Sequence, residues 1–319
     1  KRLGGIARER RMPRFAEVTF VDWFGRHRPR HPQGRPVLLF PDTFTNFFRP
    51  EAAVAATLAL EEAGFRVAIP RRPLCCGRPL YDWGMLDTAK RLLRQACDTL
   101  AREVRAGVPV VVLEPACAAA FRDELVNLFP QDETAKRLAR QTLLFSELID
   151  REGENFPLPH LQRRALVHFH CHHKAALNRQ AEERVLRQLG LDLTVPPAGC
   201  CGMAGSFGFE SDKYELSMKA AEEVLLPAVR EAPPQTLIVA DGFSCREQIE
   251  QATPRPTKHL AEVIAEGMGF DPAAALRSGE RTALPRAIAL AGATAALGLA
   301  LAATLARRSQ AQPSAPAEN

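Results

Sequence analysis

Two pairs of adjacent cysteines, each followed by a glycine, are the residues of this sequence best suited to chemistry. They are Cys75-Cys76-Gly77 and Cys200-Cys201-Gly202, and the second pair follows the first by 125 residues. Glycine allows positive φ angles and lets the backbone approach a bound group closely. Thiolate sulfur is a ligand for both zinc and iron–sulfur clusters. The two segments therefore predict loops that wrap around a metal cofactor.

The surroundings of the two pairs also repeat, at nearly the same spacing. Cys245 follows Cys117 by 128 residues, and Cys171 follows Asp42 by 129 residues. Such constant offsets indicate an internal duplication. Apolar runs predict strands at 36–41, 65–69 and 109–114 in the first half and at 165–170, 191–195 and 236–240 in the second. Helices are predicted between the strands, among them one that ends at residue 190 and one over 214–229.

Alternating helices and near-continuous apolar strands are typical of parallel sheets that are covered on both faces. We therefore expect an α/β fold of two Rossmann-like halves related by pseudo-two-fold symmetry. Ligands of such sheets lie beyond the carboxyl ends of the strands. Cys117, Cys171 and Cys245 each follow a predicted strand, so the cysteines should converge on one rim of each half, and the two rims should face a shared cleft.

The second half supplies four candidate ligands, which are Cys171, Cys200, Cys201 and Cys245. Four thiolates are the usual complement of a 4Fe-4S cluster, and they also suit zinc. Cysteines that bind zinc are usually two to four residues apart, whereas adjacent thiolates reach different atoms of a larger cluster more easily. A cluster is therefore the favoured interpretation, with zinc, a vicinal disulfide or plain buried cysteines as alternatives.

The first half supplies only Cys75, Cys76 and Cys117, with Asp42 where the second half has Cys171. A carboxylate binds iron or zinc but suits a soft cluster less well than thiolate does. Three alternatives stay open for this half: a cluster with Asp42 as an unusual ligand, a zinc ion, or a structural copy that binds nothing. Cys97 lies within a predicted helix on its apolar side, where a core position is expected.

Histidines surround Cys171, and two of them are candidates for a supporting role. His170 and His172 flank the cysteine directly. Either could donate a proton or a hydrogen bond near a cluster and so tune its potential. Ordinary hydrogen-bonded histidines at the end of a strand explain the same pattern.

Composition and charge limit the remaining classes of function. The chain has 319 residues, of which 46% are hydrophobic, and its net charge is +5. Residues 1–35 carry +7, so the body is nearly neutral and we expect no nucleic-acid partner. We interpret 1–35 as a basic linker or arm that packs its aromatic residues on a neighbouring module, followed by repeats at 36–155 and 160–268. Paired cysteines in α/β sequence, without a signal peptide, favour a reducing, cytoplasmic compartment.

The C-terminal region contains a candidate membrane segment. Residues 287–306 carry no charge and lie between Arg286 and Arg307-Arg308, but ten of them are alanine. Their length and flanks suit a membrane span, while their composition suits a surface or oligomerisation helix equally well. We interpret 269–286 as a linker and 307–319 as a disordered tail. A span would place the protein at the inner face of the plasma membrane.

The cysteine segments together carry a resemblance to a known family. Residues 36–268 resemble the cysteine-rich CCG domain of the heterodisulfide reductase B subunit and of the iron–sulfur subunit of glycolate oxidase. More narrowly, they are similar to the C-terminal part of flavin-linked D-lactate dehydrogenase-like proteins. The segments that carry this are Cys75-Cys76-Gly77-Arg78-Pro79, His170-Cys171-His172, Cys200-Cys201-Gly202-Met203-Ala204-Gly205 and Asp241-Gly242-Phe243-Ser244-Cys245. One departure is that Cys245 lacks a second cysteine three residues later.

The resemblance implies an oxidoreductase component for electron transfer. A flavin dehydrogenase would oxidise a 2-hydroxy acid, and a 4Fe-4S cluster in the second half, of cubane or non-cubane form, would pass electrons towards a quinone, cytochrome or other acceptor. The sequence contains neither a G-x-G-x-x-G fingerprint nor a ferredoxin cysteine run. FAD and a ferredoxin-type module are therefore expected on an upstream module or partner chain, since the sequence begins at Lys1. The alternatives are a zinc-bearing docking module and a thiol–disulfide reductase.

Overall fold

The first half of the chain is built on a four-stranded parallel sheet. The computed structural model describes residues 5–278, and its first sheet has the strand order β2-β1-β3-β4. The strands are apolar and largely buried because helices cover both faces. They are β1 (Arg35–Phe40), β2 (Phe65–Ala68), β3 (Val110–Val112) and β4 (Thr142–Leu144). The helices are α1 (Phe20–Phe24), α2 (Thr43–Phe47), α3 (Pro50–Glu62), α4 (Arg78–Asp82), α5 (Leu86–Arg105), α6 (Pro115–Ala119), α7 (Leu125–Leu128), α8 (Glu133–Gln141) and α9 (Phe145–Glu152), with a π-helical turn Ala120–Glu124 between α6 and α7.

The second half repeats this arrangement with a three-stranded parallel sheet of order β6-β5-β7. The second half has no full strand equivalent to β4 among its described residues. A single parallel bridge between Val239 and Lys258 takes that position. Its strands are β5 (Arg164–Val167), β6 (Asp192–Thr194) and β7 (Leu237–Val239), and its helices are α10 (Cys171–Ala176), α11 (Arg179–Gln188), α12 (Tyr214–Glu222), α13 (Leu225–Glu231), α14 (Phe243–Ala252), α15 (Leu260–Gly267) and α16 (Pro272–Arg277).

The prediction of two parallel α/β halves is confirmed by this shared strand order. Two helices differ from expectation. The helix predicted to end at residue 190 is divided into α10 and α11, because the Asn178 side chain accepts a hydrogen bond from the Gln180 N–H and begins a new helix. The helix predicted over 214–229 is divided at Val224, where φ is −142°.

The halves pack through reciprocal contacts. Helix α3 of the first half packs on α15 of the second, and α11, the counterpart of α3, packs on α9, the counterpart of α15. Exchanged pairs of this kind are the mark of a two-fold interface. One hydrophobic core runs through both halves, while each half has a separate core on its outer side. The outer cores contain Cys76 and Cys117 in the first half and Cys201 and Cys245 in the second.

The arm before β1 packs against the body within the described residues. Phe20 and Trp23 enter the shared core, and the Trp23 indole N–H donates to the carbonyl oxygen of Ala275 at 3.1 Å. Within residues 5–278, no helix combines the length and apolar character needed to cross a membrane. The candidate membrane segment at 287–306 and the tail at 307–319 lie outside the described residues.

Candidate metal centre

The two cysteine loops make the same turn. The backbone N–H of Gly77 donates to Cys75 Sγ at 3.4 Å, and that of Gly202 donates to Cys200 Sγ at 3.3 Å. Both glycines are left-handed, with φ of 75° and 83°. A Cβ at Gly202 would also lie 2.1 Å from the carbonyl oxygen of Ser217, so the turn requires glycine there.

Four sulfurs of the second half come together at the carboxyl edge of its sheet. Cys171 is the first residue of α10 after β5, Cys245 lies in α14 after β7, and the Cys200-Cys201 loop follows β6. The sulfur of Cys200 contacts those of Cys171 and Cys201, and Cys201 also contacts Cys245. Strands β6 and β7 flank β5, so the chain crosses over at this point, where α/β sheets bind their ligands.

The sulfurs form a wall that is buried on one side and open on the other. Cys201 and Cys245 are 3% and 1% exposed, whereas Cys200 is exposed and Cys171 is partly exposed. Hydrogen bonds from Cys171 and Cys201 lower the pKa of Cys200 to about 2. A hydrogen bond from Cys201 holds the pKa of Cys245 well below its usual value, and the donors Cys171 and Cys201 have raised pKa values. Two thiolates are thus already favoured before any metal binds.

The two candidate histidines lie beside Cys171. His170 Nδ1 and His172 Nδ1 lie 3.9 Å and 3.8 Å from its sulfur, and the rings of the two histidines stack with centroids 5.1 Å apart. Potential ligand atoms of all three residues lie within 4.8 Å of one another. Burial lowers the pKa of His170, and burial together with the charge of Arg78 lowers the pKa of His172 to about 4. Both imidazoles are therefore neutral at neutral pH and suit hydrogen bonding to sulfur better than proton donation.

Lys174 holds the second loop in place, and the sequence reasoning missed it. Its ammonium group donates to the carbonyl oxygens of Ala198 and Gly199, both at 2.5 Å. These carbonyls directly precede Cys200. The lysine lies three residues after Cys171, so one helix face carries both residues, and that spacing is a signal that could have identified it.

Arg10 anchors the arm to the same loop. Arg10 is 2% exposed, and its guanidinium donates to the carbonyl oxygen of Gly208 at 2.8 Å and to Ser217 Oγ at 3.0 Å and lies over the Tyr214 ring. Burial lowers the pKa of Arg10, and the nearby Cys201 opposes that shift. The arm therefore supplies a buried positive charge near the sulfurs, which no sequence motif indicated.

Glu114 lies between the two halves. It caps α6 directly after β3, and its Oε2 accepts a hydrogen bond from the Phe243 N–H of the second half at 2.8 Å. Its Oε1 lies 4.0 Å from His170 Nε2. Burial, with a contribution from Asp42, raises the pKa of Glu114 to about 8. Its place after a strand is a signal that the sequence reasoning did not use.

The two cysteine loops also approach each other. The Trp83 indole N–H, just after α4, donates to Ser206 Oγ of the second loop at 3.2 Å. The effect of Arg78 on His172 indicates that these residues of the two halves are likewise near neighbours. The carboxyl edges of the two sheets therefore face a common region.

The first half gathers three sulfurs. Cys76 Sγ lies 2.8 Å from Cys117 Sγ, and Cys75 contacts Cys76. A hydrogen bond with Cys76, together with burial, raises the pKa of Cys75, and one with Cys117 raises the pKa of Cys76. The hydrogen bond with Cys76 lowers the pKa of Cys117, but burial together with the neighbouring Asp42, Glu114 and Cys75 outweighs it and raises that pKa to about 12. All three are thus thiols at neutral pH.

The helix caps give a different correspondence between the halves from the sequence offsets. Asp42 caps α2 as His170 caps α10, so Thr43 is the first helical residue where the second half has Cys171. Asp42 Oδ1 accepts from the N–H groups of Phe44 and Thr45, and Oδ2 accepts from the Thr45 hydroxyl at 2.6 Å. The carboxylate is thereby engaged in capping, while the Thr43 side chain hydrogen-bonds to Cys75.

The donor sets of the two halves therefore fit different groups. Four sulfurs in a line of successive contacts, two of them favoured as thiolates, fit a four-thiolate iron–sulfur cluster in the second half. The first half offers three thiols and a carboxylate that is already hydrogen-bonded. Cys97, the remaining cysteine of that half, lies in α5 with Asp132, Arg94 and Asp98 as its electrostatic neighbours. It is 0% exposed, as expected for a core position.

A duplicated parallel α/β fold with a cysteine site at the carboxyl edge of each sheet defines the class. Residues 43–122 and 165–250 match the cysteine-rich domain CCG, once in each half. The chain belongs to this family, and the resemblance seen in the sequence is confirmed.

Curated relatives connect the family to dehydrogenases. The chain is 27% identical over 268 residues to one subunit of the anaerobic glycerol-3-phosphate dehydrogenase of Escherichia coli, covering 82% of this chain and 67% of that protein. It is 31% identical over 238 residues to D-2-hydroxyglutarate dehydrogenase of Pseudomonas putida, covering 73% of this chain but 22% of that protein. It is 26% identical over 246 residues to lactate utilization protein A 2 of Bacillus cereus, covering 73% and 98%. These relatives support an oxidoreductase-related role.

Proposed function

We propose that this chain is the iron–sulfur electron-transfer part of a flavin-linked 2-hydroxy-acid dehydrogenase system. The observation that carries the proposal is the convergence of Cys171, Cys200, Cys201 and Cys245 from three separate segments on one edge of the second sheet. Four thiolates are the usual ligands of a 4Fe-4S cluster, and such a cluster supplies one-electron transfer when bound.

The surrounding residues prepare this edge for binding. Cys201 and Cys245 form the buried inner wall, which keeps water from that side, while Cys200 faces outward. Lys174 fixes the backbone before Cys200, and Arg10 holds Gly208 at the other end of the loop. Positive charge near thiolates favours the more negative, reduced state of a bound cluster. The exposed side then offers the approach for a redox partner.

The partner that we propose is a flavin dehydrogenase module or subunit, with a ferredoxin-type module between flavin and CCG domain. The names of the relatives include glycerol-3-phosphate dehydrogenase, D-2-hydroxyglutarate dehydrogenase and lactate utilization. The chain spans about a fifth of the D-2-hydroxyglutarate dehydrogenase, so the flavin chemistry would lie outside these residues. A quinone or cytochrome at the inner face of the plasma membrane would accept the electrons.

The test is metal and sulfide analysis of the full chain purified without oxygen, with electron paramagnetic resonance in both redox states. We expect iron and acid-labile sulfide in a one-to-one ratio and a paramagnetic signal in one redox state. Cys200→Ser should lose most of the iron and the signal, whereas Cys97→Ser, a buried cysteine away from both sites, should keep them.

The zinc alternative gives the opposite outcome. Stoichiometric zinc without labile sulfide in the wild type would contradict the electron-transfer proposal and favour a docking module. Retention of the full iron content by Cys200→Ser, with loss in Cys75→Ser, would move the site to the first half.

A further inference from the structure

A cavity of about 350 Å³ opens beside β4, the edge strand of the first sheet. Its lining comes from the π-helical turn after α6, from α7, from α8 and from β4 itself. The volume lies within the range of small-molecule sites, which is about 300–1,000 Å³. None of the cysteines lines this cavity, so it is separate from both cysteine sites.

Two of the elements that form the cavity have no equivalents among the described residues of the second half. The first half has α8 and β4 after α7, whereas in the second half α14 ends at Ala252 and only the bridge at Lys258 follows before α15. The helix after the third strand is also distorted only in the first half, since α14 is a regular α-helix where α6 continues into a π-helical turn. Such turns occur frequently at functional sites. The cavity is therefore a feature of the first half alone.

The lining of the cavity carries three positive charges and no negative one. The charges belong to Arg122, Lys136 and Arg140. Lys136 and Arg140 are four residues apart on α8, a spacing at which like charges destabilise a helix. Arg140 makes no hydrogen bond or ion pair with any described residue. A bound anion would relieve this repulsion.

The carboxylates near these cations leave donors available for a ligand. Both carboxylate oxygens of Glu147 accept from Arg122 Nη1, at 2.8 Å and 2.7 Å, so Nε and Nη2 of Arg122 have no partner among residues 5–278. Lys136 Nζ lies 3.1 Å from Glu133, but the Glu133 side chain is 68% exposed, so this ion pair is weak. Neither glutamate lines the cavity.

The rest of the lining is mostly apolar. Val126, Ala139 and Leu143 form this side of the cavity. The Thr142 hydroxyl donates to the Leu138 carbonyl oxygen at 2.7 Å and is therefore already used. A matching ligand has an apolar body and an anionic group with several acceptor oxygens. A phosphate monoester carries about two negative charges and three acceptor oxygens, which suit three cations better than the single charge of a carboxylate does.

We propose that this cavity is a binding site for a small organic phosphate ester. Arg122, Lys136 and Arg140 hold the phosphate group, and the apolar side of the cavity contacts the organic part. Binding involves no covalent step, and it requires neither a cluster nor electron transfer in the second half.

The test is isothermal titration calorimetry of the full chain with phenyl phosphate at low ionic strength, beside inorganic phosphate and benzoate. We expect phenyl phosphate to bind more tightly than inorganic phosphate, which lacks the apolar body, and more tightly than benzoate, which carries one charge. Lys136→Gln and Arg140→Gln should each weaken the binding of phenyl phosphate about tenfold, because each removes one charge-assisted contact. Arg137→Gln removes an exposed arginine of α8 that does not line the cavity, and it should bind like the wild type.

A substitution on the apolar side tests the other part of the site. Ala139→Leu should weaken the binding of phenyl phosphate more than that of inorganic phosphate, and thermal unfolding of all variants should match the wild type. Failure of phenyl phosphate to bind at millimolar concentration, or equal affinity in the wild type and Arg140→Gln, would overturn the proposal. Equal weakening in Arg137→Gln would also overturn it, because the anion would then respond to surface charge in general. Binding of benzoate as tight as that of phenyl phosphate would refute the assignment to phosphate esters.

Discussion

The cysteine loops of the two halves share one backbone turn, with φ of 75° at Gly77 and 83° at Gly202, yet they surround their sulfurs differently. In the second half the first residue of the helix after the central strand is Cys171, and in the first half it is Thr43. The second half favours thiolate at Cys200 and Cys245, while hydrogen bonds between sulfurs, burial and neighbouring charges together raise the pKa values of the first-half cysteines. Equal folds thus present unequal chemistry through a few side chains.

The difference in the supporting groups follows the same division. Lys174 and Arg10 bring positive charge to the second loop, and both contact it within hydrogen-bonding distance. In the first half Arg78 is paired with Asp82 and Glu124 and so contributes less net charge. The two cysteine loops of this duplicated scaffold therefore differ in the net charge that surrounds them.

Substitutions at Thr43 and Cys171, the residues that distinguish the two sites, should change the metal content of the protein more than any other substitution considered below. Thr43→Cys would give the cysteine site of the first half a fourth thiol, at the position that Cys171 has in the second half. We expect the iron and sulfide content to rise towards twice the wild-type value after reconstitution. The reciprocal Cys171→Thr should lose most of the iron, because thiolate is the ligand that the cluster prefers.

The two substitutions control each other, since each alters only one half. Thr45→Cys, on the same short helix, adds a thiol without taking the Cys171 position and should leave the iron content unchanged. Equal iron in Thr43→Cys and the wild type would mean that a fourth thiol is not what the first half lacks.

Removal of the Arg10 guanidinium should have the next largest effect and should be confined to the second half. Arg10→Met leaves the Gly208 carbonyl and Ser217 without their buried charged donor, at a cost of about 2–3 kcal/mol. Chemical denaturation and the rate of iron loss to a chelator would measure it. Arg10→Lys should recover part of the stability. If Arg10→Met accelerated the alkylation of Cys75, relative to the wild type, more than that of Cys200, the effect would not be limited to the second loop.

Removal of the Lys174 ammonium group should have a smaller effect, which should appear mainly in the properties of the metal site. Lys174→Met removes two hydrogen bonds to the backbone before Cys200 and one positive charge. We expect a lower reduction potential and about 10-fold weaker metal retention, as for other supporting groups around metal ligands. Lys174→Arg should keep the potential closer to that of the wild type. If Lys174→Met and the wild type had the same reduction potential, the charge of Lys174 would have no influence on the cluster.

The fold was largely predictable because its signals are local and repeated. Apolar strands, the proline that begins α3 and the constant cysteine offsets predicted both sheets and the convergence of the cysteines at the strand ends. The correspondence of Thr43 with Cys171 was not predictable from offsets alone, because it depends on which residue caps the helix. Asp42 and His170 are both competent caps, and only the hydrogen bonds show that they are counterparts.

The supporting residues of the site were harder to predict. Arg10 lies 198 residues from Gly208, and nothing in the sequence of the arm distinguishes it from the other arginines there. Glu114 belongs to no motif of its own, and its partner Phe243 lies in the other half. Contacts between distant segments depend on how the halves pack, and that packing has no short-range signature in the sequence.

The smallest effect concerns a buried carboxyl that the second half has and the first half lacks. Glu182 occupies the position that Ala53 occupies in α3, counted from the helix caps. Burial and the neighbouring Asp241 raise the pKa of Glu182 well above its ordinary value of 4.5, so the folded protein keeps the proton to higher pH than the unfolded chain. Above pH 4.5 the unfolded chain then binds fewer protons, and stability falls as pH rises towards the folded pKa.

Glu182→Gln should remove this pH dependence, because the amide can still donate a hydrogen bond towards Asp241 but does not ionise. We expect the free energy of unfolding, measured in urea at about pH 5 and about pH 8, to fall less between the two pH values in the variant than in the wild type. Glu183→Gln, at a neighbouring residue that pairs with Arg187 on the surface, should keep the wild-type slope. An unchanged slope in Glu182→Gln would mean that the second half does not hold a proton at this carboxyl and that the two halves differ only around their cysteines.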